Sequence, residues 1–319
     1  MSDVLILLAV FLLIYLVECL SWIPANRFVF RTTWVRDFAP ARSMFPIERF
    51  GYRLYLGNLI PGLGDLAVCE PLDPLLSDGV GKDPEELRQR FLRMLDTQRV
   101  RRRLRQCQRI VRPSYINSWL LLALLFGVFP ILAWRLGLTI SLLLLPVLLI
   151  VLVHNVWSFH RLHRLLEPQA FAERREKTVA LALSPLGVIR ASSLLLKESI
   201  ASFHPLAVSA ATMPRVEARH FAARVLRELR FSLDGENVTS EGQAAQSQWR
   251  TVVWEWTKKE FGDPETLLGA PEKRSESSVA YCPRCEQEYV VAEGECADCR
   301  GIRLRAFVMA GPTASNHRS

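Results

Sequence analysis

The chain has 319 residues, half of them apolar, with 40 Lys and Arg against 32 Asp and Glu and a formal net charge of +8. Positive mean hydropathy at this length points to membrane segments joined to folded domains, and a charged fraction of 23% with scattered prolines excludes a wholly disordered chain. Four of the seven cysteines fall in one 18-residue window, a pattern of metal binding in a reducing compartment rather than of a secreted disulfide framework.

Val4–Ile23 is an apolar run whose only charge is Glu18. At about 1.5 Å per residue its roughly 20 residues reach across a hydrocarbon core of about 30 Å. Ser2 and Asp3 form no basic leader, and Cys19-Leu20-Ser21-Trp22 is a poor cleavage site, so residues 1–23 are expected to be a retained transmembrane anchor. Residues 24–82 read as a small β-rich cytoplasmic segment. Alternation predicts strands over 27–31 and 52–56, residues 58–64 are turn-rich, and prolines at 40, 46, 61, 71 and 74 break any long element. Gly62 and Gly64 lack the spacing of a dinucleotide fingerprint.

Asp83-Pro84-Glu85-Glu86 opens a basic amphipathic juxtamembrane helix, expected over 83–112 and ending before Pro113. Ten arginines lie between Arg88 and Arg112. Arg88, Arg99, Arg101, Arg102, Arg103, Arg105, Arg109 and Arg112 are candidates for contact with anionic lipid headgroups, each contributing about 1 kcal/mol. Without interleaved aromatics for base stacking, the run does not favour nucleic acid as a partner.

Residues 113–158 are expected to be a transmembrane hairpin, with spans Ile116–Ala133 and Leu136–Trp157 joined at Trp134-Arg135 and kinked at Pro130 and Pro146. Residues 21–117 hold 17 Lys and Arg, the far turn one, and the chain after Trp157 holds 22. That asymmetry puts the N-terminus outside and both soluble parts in the cytoplasm, at a membrane of the bacterial cytoplasmic type. No acid or lysine lies inside the hairpin, which argues against a channel or pump.

Residues 159–262 read as a helical cytoplasmic domain. If the last span continues as helix, His160, His163 and Glu167 share one face at a spacing that could hold a metal; Trp157 and the neighbouring arginines equally suit a plain interfacial helix end. A short apolar helix carrying Leu194, Leu195, Ile200 and Phe203 closes at His204-Pro205. A stronger one begins at Pro214, Asp234–Asn237 turns, and a helix over 243–261 carries Trp249, Trp254 and Trp256 as core or membrane-facing residues. No nucleophile elbow, Walker A stretch or H-E-x-x-H occurs.

A polar linker over 263–278 precedes Cys282-Pro283-Arg284-Cys285 and, ten residues later, Cys296-Ala297-Asp298-Cys299. Each C-x-x-C turns two thiolates toward one point, and two such knuckles complete a tetrahedral sulfur shell suited to Zn²⁺. Over residues 279–309 the pattern resembles the zinc-ribbon (rubredoxin-like) family. It departs at the first knuckle, where Glu286 stands in place of a glycine, and keeps Gly301 at the second. The closed Cys₄ set implies a structural Zn²⁺ that supplies the folding energy of a module too small for a core. Cys19, Cys69 and Cys107 are expected to be ordinary thiols, and residues 310–319 a disordered tail.

The expected fold class is an α-helical membrane protein with three transmembrane helices, a small β-rich insert, a helical domain and a C-terminal zinc ribbon. Rich in docking surface and poor in chemistry, the chain reads as an adaptor or complex subunit with a cytoplasmic protein partner. A membrane-interface enzyme using His160, His163 and Glu167 on a lipid substrate is the second reading, and a tethered nucleic-acid binder the third.

Overall fold

The structure is a computed structural model that describes residues 2–25, 27–44, 51–57, 59–71, 84–137, 142–166, 171–182, 185–232, 240–271, 273–299 and 301–307. Glu167, the 234–237 turn, the Asp83 cap and the 310–319 tail lie outside these residues. The chain divides into two compact units, one of residues 1–74 and 92–214 and one of 75–91 and 215–319.

In the first unit, α1 (Ser2–Glu18) is apolar over nearly all of its length. It is shorter than the span expected to reach Ile23. Leu20–Pro24 leaves the helix as strand β1, because these residues fit a half-buried pleat equally well and their backbone groups find partners there. β1 pairs antiparallel with the 52–56 strand, Trp22 opposite Leu54. β2 (Arg27–Thr33) is the centre of a second antiparallel sheet, between β3 (Asp37–Pro40) and a later strand over 63–71. β4 (Tyr52–Leu56) and β5 (Leu63–Pro71) complete the two sheets. Ile23, Val29, Tyr55 and Leu66 form their shared buried core. β5 begins inside the stretch expected to be a turn.

α2 (Pro84–Met94) carries Glu85 and Glu86 in its first turn, where acids oppose the helix dipole favourably. The basic helix expected over 83–112 is interrupted after Met94, because the Asp96 side chain accepts from Arg99 N (2.9 Å) and caps a new helix, α3 (Thr97–Ala123). α3 does not stop before Pro113. Val100, Leu104, Cys107, Val111, Ser118 and Leu121 make a buried stripe on both sides of the proline, and packing along that stripe outweighs one lost backbone bond. A π-helical turn over Leu124–Val128 leads into α4 (Phe129–Leu136). This wider turn accommodates the ring of Pro130 without a break.

Thr97–Leu136 is thus a continuous 40-residue helix, and among the described residues it alone is long and apolar enough to cross a membrane by length and composition. The three full-length spans expected from the sequence are not reproduced. α1 has 17 residues, and α5 (Leu145–Leu166) is apolar over Leu145–Arg161. The hairpin turn is also displaced: Trp134 and Arg135 remain helical and the helix stops at Gly137, whose φ of 88° suits only glycine. Pro146 lies in the first turn of α5, where its missing N–H costs no helical bond.

Four short helices follow: α6 (Phe171–Ala182), α7 (Pro185–Ile189), α8 (Ala191–Ser199) and α9 (Pro205–Thr212). His204-Pro205 opens α9 instead of only closing its predecessor, the buried His204 Nδ1 accepting from Leu206 N. α8 packs against β5, α3 and α5, so the β-rich segment and part of the helical region share one core.

The second unit holds α10 (Arg215–Ser232), α11 (Ser240–Phe261), the short α12 (Pro264–Leu267) and the cysteine module. Phe221, Ala222, Val225, Leu226 and Leu229 are buried on one side of α10. Trp249 is fully buried, its ring 4.7 Å from that of Phe91, as expected of a core residue. Within the linker expected over 263–278, α12 forms one turn, capped by Asp263.

Candidate metal centre

β6 (Ala280–Tyr281) pairs antiparallel with β7 (Glu288–Tyr289) on one side and β8 (Arg305–Ala306) on the other. Each knuckle leaves this small sheet through a tight backbone bond: Glu286 N donates to Cys282 O (2.9 Å), Cys282 N to Gln287 O (2.9 Å), and Cys296 N to Ile302 O (2.8 Å). The Sγ atoms of Cys282, Cys285, Cys296 and Cys299 converge, all within 4.8 Å of one another. Cys285 and Cys296 stand 3.6 Å apart at sulfur. In a tetrahedral shell at about 2.3 Å from the ion, sulfurs lie about 3.8 Å apart, so the four can bind one metal ion.

Glu286 resolves the departure from the ribbon pattern. Its φ is 61°, the left-handed conformation that Gly301 adopts at 73° in the other knuckle. A non-glycine residue there needs support, and an ion pair with Arg227 of α10 supplies it. Arg284 pairs with Glu228 of the same helix at 3.1 Å. Glu288 fastens the preceding segment, accepting from Ser278 Oγ and Arg274 N (2.6 Å each) and from Ser275 N (3.2 Å). Those donors hold its carboxyl below the usual range, the Ser278 hydroxyl foremost.

The thiols are not equivalent. Tyr289 Oη donates to Cys296 Sγ (3.2 Å) and Cys299 N does so at 3.3 Å. Burial works against the thiolate of Cys296, but these donors hold its pKa down at about 6, closest to the form a metal requires.

The other residues singled out from the sequence do not converge in this way. Arg99, Arg101, Arg102, Arg105, Arg109 and Arg112 are exposed along α3, half-buried Arg103 donates to Ser199 O (3.4 Å), and Arg88 is exposed on α2. His160 Nδ1 lies 3.4 Å from Thr178 Oγ1. His163 is on α5, and Glu167 is outside the described residues.

A second polar centre, in the first unit, has no local motif. Asp65 of β5 is 1% exposed. Its carboxylate accepts from Tyr115 Oη of α3, from Ser193 Oγ of α8 (2.7 Å) and from Gly62 N (3.1 Å). Burial pushes the carboxyl above its usual range, with the three donors pulling the other way. The buried Arg190 donates to Glu18 O at the end of α1, capping that helix with a cation. The one signal in sequence is a single acid inside the apolar run Leu63–Cys69. Comparison with protein-family models, curated proteins and solved structures gives no match for this chain.

Proposed function

We propose that the protein is a membrane-anchored adaptor or complex subunit whose C-terminal ribbon, folded on a structural Zn²⁺, docks a cytoplasmic protein partner. The observation that carries this reading is a closed set of four sulfurs beside an exposed apolar edge. Val290 and Val291, on the span between the knuckles, are 69% and 54% exposed. Four thiolates fill a tetrahedral shell and leave no position for substrate, which suits a structural ion, and zinc is the metal that this donor set favours. Two adjacent solvent-facing valines in so small a module offer a partner an apolar contact.

In the same reading α1, the apolar part of Thr97–Leu136 and Leu145–Arg161 lie in the membrane with the N-terminus outside. The 17 residues of α1 sit at the short end of the range of about 17–25 for a spanning helix. The arginines of α3 then face the basic, cytoplasmic side, in reach of anionic headgroups.

The test is a pull-down from gently solubilised native membranes, comparing the wild type with Val290→Asp/Val291→Asp and with Cys282→Ser/Cys285→Ser. A stoichiometric protein partner lost in both variants, with membrane insertion unchanged, is the expected result. A partner retained by both removes the ribbon from docking.

A further inference from the structure

Thr33–Arg36 joins β2 to β3 through a tight turn, closed by Arg36 N donating to Thr33 O (3.0 Å). Both central residues have positive φ, Trp34 at 52° and Val35 at 58°. Such turns normally carry Asn-Gly; a β-branched valine in this region costs about 1–2 kcal/mol. The strain is held in place by packing. Trp34 N donates to Gly62 O (2.8 Å), and its indole lies edge-on to Tyr115 at 5.3 Å and stacked on Trp119 at 6.4 Å. Val35 is 6% exposed. A strained, fully braced backbone is characteristic of a functional position.

What this turn presents is an arginine. Val35 and Arg36 form one wall of a cavity of about 500 Å³. Arg101, Leu104, Arg105 and Gln108 of α3, with Ala211 and Thr212 at the end of α9, line the rest of it, and it opens to solvent with all three arginines exposed. Arg101 donates to Ala210 O and Arg105 Nε to Arg101 O, both at 3.4 Å, which positions the two guanidinium groups. Among the described residues no carboxylate pairs with Arg36, Arg101 or Arg105. Three guanidinium groups lining one concavity, with no carboxylate partner among the described residues, suit an anion of more than one charge.

We propose that this cavity binds a phosphate-bearing ligand through Arg36, Arg101 and Arg105. Guanidinium forks match phosphate oxygens two at a time, and Val35 with Leu104 offers an apolar floor to the rest of the molecule. The volume falls in the range of about 300–1,000 Å³ that accommodates a small molecule and exceeds the need of inorganic phosphate. Two sources share this chemistry: a soluble phosphorylated compound and a phosphorylated lipid headgroup. Arg105 precedes the apolar stretch at Ile116 by 11 residues, about 16 Å of helix, so a lipid must carry an extended headgroup to reach it. The proposal does not depend on the ribbon having a partner.

The full-length protein in nanodiscs of neutral phosphatidylcholine is titrated calorimetrically with pyrophosphate, and in a parallel arm is bound to vesicles with and without a phosphatidylinositol phosphate. Binding in the first arm identifies a soluble ligand, and binding in the second alone identifies a lipid. Either must weaken at least about tenfold in Arg36→Gln and in Arg101→Gln/Arg105→Gln. Arg250→Gln, an exposed charge on α11 outside the cavity and outside the basic helix, is expected to stay within about twofold. Arg101→Lys/Arg105→Lys, which keeps charge and helix, is expected to lose about threefold or more because the forks are gone. No binding in either arm, or equal weakening by Arg250→Gln, overturns the proposal.

Discussion

The two polar centres of this protein are built in opposite ways. Around Asp65 the chain closes on itself: a strand acid accepts hydrogen bonds from a tyrosine and a serine on two helices far along the chain and from the nearby amide of Gly62. Around the four cysteines the sulfurs come from one short stretch and face one another, with few donors besides Tyr289 and a backbone amide. The first arrangement is complete as protein. The second brings together groups that repel once ionised and becomes stable when a cation joins them. The first centre has no need of a metal, and the second is a set of groups that can bind one.

The largest effect should follow from attacking the cysteine centre. Cys282→Ser/Cys285→Ser is expected to abolish metal binding, which for the zinc proposed above is on the order of 10 kcal/mol of apparent folding energy, read as metal content per chain by mass spectrometry. Residues 279–307 should then become protease-sensitive while the first unit keeps its unfolding temperature. Loss of both together would show that the units are not independent in this respect.

Asp65→Ala breaks the opposite centre, leaving two hydroxyls and an amide without an acceptor. The expected loss is about 3 kcal/mol in thermal unfolding in detergent, with zinc content unchanged. Asp65→Asn keeps an acceptor and should lose less. The raised pKa also fixes a sign. The folded state holds the Asp65 proton at pH values where the unfolded chain has released it. This contribution is fully present below the ordinary value of about 3.9 and declines as pH rises through the raised folded value. Asp65→Asn should flatten that slope; an unchanged slope would assign the pH dependence to other groups.

Gly57 sharpens the comparison on the same side. A β-carbon there would lie 2.9 Å from Cys19 O and closer still to Arg190 Nη2. Gly57→Ala is expected to destabilise the first unit by about 1–3 kcal/mol and again to leave zinc content alone. The smallest effect is at Glu286, where Gly relieves the left-handed conformation and Ala does not. Both lose the Arg227 pair, so Glu286→Gly should exceed Glu286→Ala in stability by about 1 kcal/mol, measured as resistance of bound zinc to a chelator.

What could be read from the chain follows the same division. The four cysteines were legible because ligand convergence needs only two short turns and a hairpin. Trp249 and the α10 stripe were legible through helical spacing. Leu20–Pro24 was not, since apolar residues serve a lipid-facing helix and a half-buried strand alike, and only pairing with β4 decides between them. Pro113 misled because a local rule for ending helices was outweighed by a buried stripe on both sides of it. Asp65 carries no motif; its partners Tyr115 and Ser193 are brought to it by tertiary packing. His160 has the right spacing from His163, yet its imidazole meets Thr178.

The unbroken helix from Thr97 to Leu136 has a mechanical consequence. At about 1.5 Å per residue it is about 60 Å long, twice the thickness of a hydrocarbon core of about 30 Å. Where its apolar half is seated in a bilayer, the other half is a lever arm that carries the helices packed on it, α8 and α9. A change in bilayer thickness that tilts the seated half by about 10° swings the far end by about 5 Å, enough to move Arg101 and Arg105 by the width of an atom or more.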